Sequence, residues 1–332
     1  MLAAIYEHLG TAADVLRVVE IPDPHPGPGE VRVRIRWSGI NPSDVKSREG
    51  RGTTALPYPF VVPHSDGMGV IDEIGEGVAP GRIGQRVWIW NAAWNARGGR
   101  QFGTAAQYVV LLAAQAVALP DRVSDEAGAF LGIPAMTALH ALLLAGGVRD
   151  RRVLVSGGAG AVGRYAIQFA RLLGARQVLA TASTADKHAV ARAAGAEVVV
   201  DHRAPDAAAR LRGASDGGGV DRVIELDIAA NVALDLQVLA HQGEIVVYGS
   251  SDPTFQMPYR PALERGLSLC FFLVYTLDPQ ARKQAMDVLD GFLARSDIDH
   301  AIAQRWPLAQ IVQAHEAVEH KRLSGNVVLA IP

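Results

Sequence analysis

Arg151-Arg152-Val153-Leu154-Val155-Ser156-Gly157-Gly158-Ala159-Gly160-Ala161-Val162-Gly163 is the stretch that decides the fold. Its apolar, β-branched run reads as a buried strand, its glycines as a tight turn, and residues 165–173 as the amphipathic start of a helix. Gly158, Gly160 and Gly163 fill the pattern G-x-G-x-x-G. A Rossmann unit uses such a turn to bring its backbone against a pyrophosphate and to aim a helix N-terminus at it. The glycines alone are a weak signal; the strand before them and the helix after them make it specific. The motif starts only at residue 151, so another folded region comes first.

Downstream of the motif, strand-like and helix-like segments take turns. Strands are expected at 153–155, 177–182, 198–200, 222–226 and 244–248, and helices at 161–174, 185–194, 204–212 and 229–240. That grammar means parallel strands joined by helical crossovers. Upstream, residues 1 to 115 alternate strand-like runs with proline and glycine turns. Val31-Arg32-Val33-Arg34-Ile35-Arg36 suits a strand with one wet face. Further strands are expected at 70–74 and 86–90, and helical patterning is scarce there. Residues 267–274 read as one more strand, 280–295 and 308–322 as helices, and 326–331 as a terminal strand with no place in the Rossmann sheet. The expected class is α/β, with a mostly β domain of residues 1–118 and 266–332 and a doubly wound, parallel-sheet Rossmann domain of residues 119–265.

Bulk composition limits the partners. A formal net charge of -2 gives no basic footprint for nucleic acid or an anionic membrane. One cysteine, Cys270, excludes an internal disulfide and a four-cysteine zinc site. The first residues lack a basic start followed by a long apolar core, so no signal peptide and a cytoplasmic location are expected. Residues 127–148 carry no formal charge, but Gly132, Pro134 and His140 interrupt them, and a buried turn plus a core helix is the expectation.

The second strand of the parallel domain runs into Ala180-Thr181-Ala182-Ser183-Thr184, and no carboxylate follows until Asp186. An NAD-preferring unit places an acid there for the ribose 2′-hydroxyl. Small hydroxyl residues leave room for a 2′-phosphate, and Lys187, His202 and Arg203 stand close enough in sequence to supply positive charge. The expected cofactor is NADPH.

Taken together, several stretches resemble the medium-chain dehydrogenase/reductase superfamily, and within it the zinc-free quinone oxidoreductase, or zeta-crystallin, family. They are Ser38-Gly39-Ile40-Asn41-Pro42-Ser43-Asp44, Ser65-Asp66-Gly67-Met68-Gly69-Val70-Ile71, Gly132-Ile133-Pro134-Ala135-Met136-Thr137-Ala138, the glycine turn, Asp201-His202-Arg203, Asn231, Val247-Tyr248-Gly249-Ser250 and Ser324-Gly325-Asn326-Val327-Val328-Leu329. The resemblance covers essentially the whole chain. It implies a GroES-like catalytic domain, a Rossmann domain and a cofactor in the cleft between them. It places Thr137 near the nicotinamide and Ala159, Gly160, Ala161 and Val162 at the pyrophosphate. It assigns Ser183, Lys187 and His202 to the adenosine phosphate, Asn231, Tyr248, Gly249, Ser250 and Ser251 to the cofactor wall, and Phe271, Phe272 and Leu273 to the nicotinamide end. Asn326 stands where relatives often carry lysine. A tyrosine common among relatives is missing near Gly52 and Thr53, with Tyr58 as the candidate replacement. The family also implies a homodimer, with 267–274 as the pairing edge.

Zinc-dependent relatives hold a catalytic metal at positions matched here by Asn41, Ser65 and Ile133, none of them a soft or imidazole ligand. His315 and His320 are five apart and cannot share one helix face as a metal pair, so both read as surface-helix histidines. Without a Lewis acid, alcohol oxidation is disfavoured, and an acceptor that delocalises its own charge is favoured. The expected reaction is hydride transfer from NADPH to a quinone, with an α,β-unsaturated carbonyl, including an enoyl thioester, as the alternative. Arg48, Arg97 and Arg100 are the only hints of a rim for a thioester phosphate. A non-catalytic NADPH-binding protein is the second alternative. Asn41 is the candidate donor to the acceptor oxygen or, equally, the holder of the Pro42 turn. Trp88, Trp90 and Trp94, with Tyr58 and Phe60, are candidate walls, and residues 91–102 a candidate lid. No Tyr-x-x-x-Lys pair supports a short-chain dehydrogenase.

Overall fold

The computed structural model describes residues 1–51, 54–56, 58–93, 101–320 and 324–332. Gly52, Thr53, Trp94, Arg97 and Arg100, and most of the 91–102 segment, lie outside the described residues. In chain order the strands are β1 (Leu2–Ile5), β2 (Arg17–Glu20), β3 (Glu30–Ile40), β4 (Asp66–Ile74), β5 (Arg86–Ile89), β6 (Tyr108–Leu112) and β7 (Ala116–Ala118). They continue with β8 (Arg152–Val155), β9 (Gln177–Thr181), β10 (Val198–Val200), β11 (Val220–Glu225), β12 (Leu239–Val247), β13 (Ser268–Phe271), β14 (Ile302–Pro307) and β15 (Asn326–Ala330). The chain divides into two compact units, residues 1–134 with 300–332, and residues 135–299.

In the first unit a seven-stranded sheet runs in the order β14-β15-β3-β4-β5-β7, with β6 paired to β3. The alternation read in β3 holds: Val31, Val33 and Ile35 are buried, and Arg34 and Arg36 are exposed. Those three pack with Ile71, Val87, Ile89, Leu111 and Leu329 into one core. The helix Pro42–Glu49 follows β3 for local reasons. Pro42 suits its first turn, Asp44 is acidic there, Lys46 and Arg48 are basic in the last turn, and Gly50 ends it at φ 80°.

In the second unit six strands lie in the order β10-β9-β8-β11-β12-β13, all parallel. The order reverses between β8 and β11, which is where a doubly wound sheet opens a crevice beyond its strand ends. At the other end of the sheet Arg222 is wholly buried. It pairs with Glu244 at 2.6 Å and donates to the Leu142 carbonyl at 3.1 Å, tying β11 to the end of the helix Met136–Leu143. Glu244 is also bonded by Arg151, so removing it would leave the buried Arg222 guanidinium without its carboxylate.

The sequence boundary at residue 265 is corrected. Ser268–Phe271 pairs in parallel with Glu244–Val247 of β12, so residues 266–299 belong to the second unit. Only β14, β15 and the helix Ile311–Glu319 return to the first. The start of the second unit also moves, from 119 to 135. Residues 131–135 form a π-helical segment containing Pro134, where a turn was expected, and it runs directly into the helix Met136–Leu143; no described helix is long and apolar enough to cross a membrane.

Candidate functional site

The glycine turn is built for close approach. Gly157 sits at φ 66°, and its N–H reaches Thr181 Oγ1 at 3.1 Å, while Gly158 N–H reaches the Thr181 carbonyl at 2.9 Å. The turn is thereby pinned to the end of β9. A Cβ on Gly158 would lie 2.7 Å from Ala180 Cβ, and one on Gly163 would lie 2.3 Å from the Gly157 carbonyl oxygen. Both glycines are required for packing. Gly160 is less crowded: a Cβ there would meet a single close atom, the Gly157 oxygen at 3.3 Å. Gly160 is also the N-cap of the helix Ala161–Leu172 and offers no side chain to it. The first-turn N–H groups of Ala161 and Val162 have no intrahelical acceptor. Open backbone and uncapped donors fit a dinucleotide pyrophosphate. Ala159 lies buried within the turn.

At the end of β9, Thr184 caps the helix Ala185–Ala193 by accepting the Lys187 N–H. Arg203 reaches across from the end of β10. It donates to the Ser183 carbonyl and makes two bonds to Asp201, at 3.0 and 2.9 Å. Those bonds hold the Asp201 carboxyl below its ordinary range. His202 is half-buried beside the same carboxylate, 3.8 Å away. Ser183, His202 and Arg203 are therefore gathered at the neighbouring ends of β9 and β10, with Lys187 in the first turn of the helix that follows β9.

Beyond β11 and β12 the chain forms the other wall. Asn231 donates to Ser156 Oγ at 3.1 Å and to Glu225 Oε1 at 2.9 Å. Asp227 accepts both the N–H and the hydroxyl of Ser251, and the Ser250 hydroxyl caps the Asp252 carbonyl. A Cβ on Gly249 would lie 2.3 Å from the Leu226 carbonyl, so glycine is needed there. Burial, then the Glu225 charge, pushes the Tyr248 phenol up. Phe272 packs edge-on to His140 at 4.7 Å and tilts against Tyr248 at 6.5 Å. Phe271 and Leu273 point the other way and are exposed. Thr137 is buried in the first turn of the helix Met136–Leu143.

In the first unit Asn41 performs a structural task. Its N–H donates to Asp44 Oδ2 at 2.7 Å and its carboxamide to Asp66 Oδ2 at 2.8 Å. Burial pushes Asp44 up to about 7 and Asp66 well above the usual carboxylate range. A side chain at Gly132 would strike Asp66 Oδ1 at 2.2 Å. Among the described residues no three His, Cys, Asp or Glu side chains converge to hold a metal ion. Tyr58 is half-buried against the core of the first unit. Trp88 is wholly buried and packs as core, and Trp90 is buried beside it. The Asn326 carboxamide is committed to the His300 carbonyl at 2.7 Å.

Two sequence readings are corrected here. His315 is not a surface residue: it is wholly buried against His64, and only His320 is exposed. Ile311, Ala314 and His315 lie three and four apart on the inward helix face, a signal the spacing already contained. Arg48 is no rim residue either, being buried and bonded to Glu319 at 2.8 Å and the Gly10 carbonyl at 2.6 Å. Thr104, Glu225 and Asp235 belong to no motif, and Ser38 stands in one without any signal of its hydrogen bond to His64.

The alcohol dehydrogenase GroES-like domain family matches residues 27–121, and the zinc-binding dehydrogenase family matches residues 161–291. The quinone oxidoreductase of Sus scrofa is 29% identical over 295 residues, covering 88% of this chain and 86% of that protein. A crystal structure named as an NAD-dependent alcohol dehydrogenase is 30% identical, with a TM-score of 0.90 over the whole of both chains. A mycobacterial protein solved with NADPH is 28% identical, with a TM-score of 0.87 over 99% of this chain and all of that one. A GroES-like unit joined to a Rossmann unit is an oxidoreductase architecture. The chain belongs to the medium-chain dehydrogenase/reductase family.

Proposed function

We propose that the chain is an NADPH-dependent, zinc-independent oxidoreductase whose acceptor is a quinone. The observation that carries the cofactor choice is Arg203, anchored by Asp201 and the Ser183 carbonyl at the end of β9, where an NAD-preferring strand would end in an acid. The Nε and Nη2 of Arg203 are taken up by Asp201 and the Ser183 carbonyl, and its Nη1 hydrogens are the ones offered to a 2′-phosphate. Lys187 adds a second cation on the first turn of the next helix. The NADPH in the mycobacterial relative supports the same choice.

When bound, the reduced nicotinamide supplies the hydride. The protein's part is to bind, orient and exclude water. The glycine turn and the donors of Ala161 and Val162 hold the pyrophosphate. Asn41, at the position of a zinc ligand in other family members, has its carboxamide engaged by Asp66 and Asp44 and so holds the Pro42 turn in place. The quinone takes up one hydride and one solvent proton to become the hydroquinone. The quinone oxidoreductase name of the pig relative supports this acceptor class. The protein is proposed to act as a homodimer. β13 ends its sheet with an open edge, and Phe271 and Leu273 are exposed beside it.

The test is oxidation of NADPH and of NADH by chelator-treated protein, with an ortho-quinone, an enone, an enoyl thioester and no acceptor in parallel. Faster NADPH use with the quinone, unchanged by chelator, is the expected result. Preference for the enone or thioester moves the acceptor class. Tight NADPH binding without turnover makes the chain a binding protein.

A further inference from the structure

Two carboxylic acids are sealed inside the second unit: Glu225, at the end of β11, and Asp235, in the helix Ile228–Val238. Among the described residues no cation pairs with either. The charged or titratable groups facing Glu225 are Asp227, Asp235 and Tyr248. Glu225 Oε2 and Asp235 Oδ2 are both buried without a donor. One proton held between the two acids satisfies both oxygens. Asp235 keeps it, because burial, then the Glu225 charge, pushes that carboxyl well up. Glu225 then presents Oε1 as an acceptor, and it accepts from the Asp227 N–H and from Asn231 Nδ2.

An amide NH2 has two hydrogens. Asn231 directs one at Glu225 Oε1 and the other at Ser156 Oγ. The opposite orientation of this amide would set its carbonyl against the Glu225 carboxylate, so the Glu225 contact fixes which end faces inward. The remaining hydrogen-bonding atom of Asn231 is Oδ1, an acceptor. Ser156 closes β8 and Glu225 closes β11, so this amide stands where the strand order reverses.

We propose that Glu225 is a positioning residue for a bound dinucleotide: it holds the Asn231 amide hydrogens inward, leaving Asn231 Oδ1 to accept from a ribose hydroxyl. The inference rests on the dinucleotide reading above and does not depend on the choice between NADPH and NADH.

The test is a double-mutant cycle read as NADPH affinity by nicotinamide fluorescence. Glu225→Ala and Asn231→Ala each raise Kd by about tenfold, the scale of one hydrogen bond. The double variant is no weaker than either single one, because Glu225 acts through Asn231. Glu225→Gln retains the carbonyl oxygen and keeps Kd within about threefold of the parent. Additive losses, or an unchanged Kd in Glu225→Ala, overturn the proposal, since a purely structural glutamate predicts one or the other. Should Glu225→Ala not fold, the intact protein labelled with 15N-asparagine decides. The Asn231 side-chain NH2, assigned by its absence in Asn231→Ala, is protected from solvent exchange if the proposal holds, and rapid exchange refutes it. A parent protein that binds neither NADPH nor NADH defeats the dinucleotide reading itself; binding with an additive cycle defeats only the role of Glu225.

Discussion

His315 Nε2 lies 2.9 Å from His64 Nε2, and the direction of every hydrogen bond beyond that contact is determined. Thr104 has one hydroxyl proton and gives it to the Asp66 carbonyl. Ser38, 2.7 Å away, must therefore donate to Thr104. His64 Nδ1, 2.8 Å from the same serine oxygen, must donate to Ser38. Its Nε2 is left as an acceptor, so His315 Nε2 carries the proton between the rings. His64 holds this place at φ 80°, a left-handed backbone uncommon outside glycine.

Both rings are kept neutral. Burial pushes His64 down to about 3; burial, then His64 and Arg48, pushes His315 well down. The unfolded chain gains a proton at each histidine near pH 6.5 that the folded chain refuses. Each ring thus contributes stability that is present above about pH 6.5 and lost as pH falls toward the folded value, by about 1.4 kcal/mol per pH unit. Urea unfolding of the parent and of His315→Gln is expected to show the variant gaining on the parent by about that slope below pH 6.5. A constant difference between the two counts against a neutral His315.

Asp44 works in the opposite direction. Its carboxyl is raised to about 7 by burial, so the folded chain keeps a proton that the unfolded chain releases near pH 3.9. Its contribution is present below about pH 4 and lost as pH rises through 7. Asp44→Asn is expected to gain on the parent across that window and to level off above it, in thermal melts taken from acid to neutral pH. A gain that continues to climb well above neutrality would assign the effect to another group.

Arg203→Ala is expected to weaken NADPH binding by about tenfold or more while leaving NADH nearly unchanged, because only the 2′-phosphate loses a partner. Isothermal titration with both cofactors, and with 2′,5′-ADP as the probe for the adenosine end, measures the ratio. Equal weakening of NADPH and NADH would mean that Arg203 supports the strand end rather than the phosphate.

Gly160 and Gly163 are expected to fail differently. Gly163→Ala forces a methyl to 2.3 Å from the Gly157 oxygen and should cost about 1–3 kcal/mol, visible as a lowered Tm. Gly160→Ala meets one tight contact, 3.3 Å from the Gly157 oxygen, so its Tm should fall less than that of Gly163→Ala while its dinucleotide affinity falls. Differential scanning fluorimetry with and without NADPH separates the two; an unchanged affinity in Gly160→Ala would place the pyrophosphate elsewhere.

The parallel domain was legible because its signals are local: a glycine turn, apolar runs and helix periodicity within a few residues of one another. The ownership of residues 266–299 was not, because it depends on which edge β13 finds, and a strand's partner leaves no mark on its own sequence. The gathering of Ser183, His202 and Arg203 followed from strand ends placed side by side, which the β-α alternation already implied. The hydrogen-bonded chain from His315 to Asp66 was invisible for the opposite reason. It joins polar residues from four separated stretches, and their spacing along the chain gives no sign that they meet.

The first unit is closed by strands from both ends of the chain. β15 pairs antiparallel with β3, joining Val327 to Ile40, and Arg48 meets Glu319 across a similar separation. During synthesis, residues 135–299 emerge as a block whose six strands pair only with one another. The first unit must wait, with residues 37–40 of β3 unpaired on the side that β15 fills, until residues 300–332 have left the ribosome. Its order of folding is therefore inverted with respect to its order of translation: the part made first is finished last.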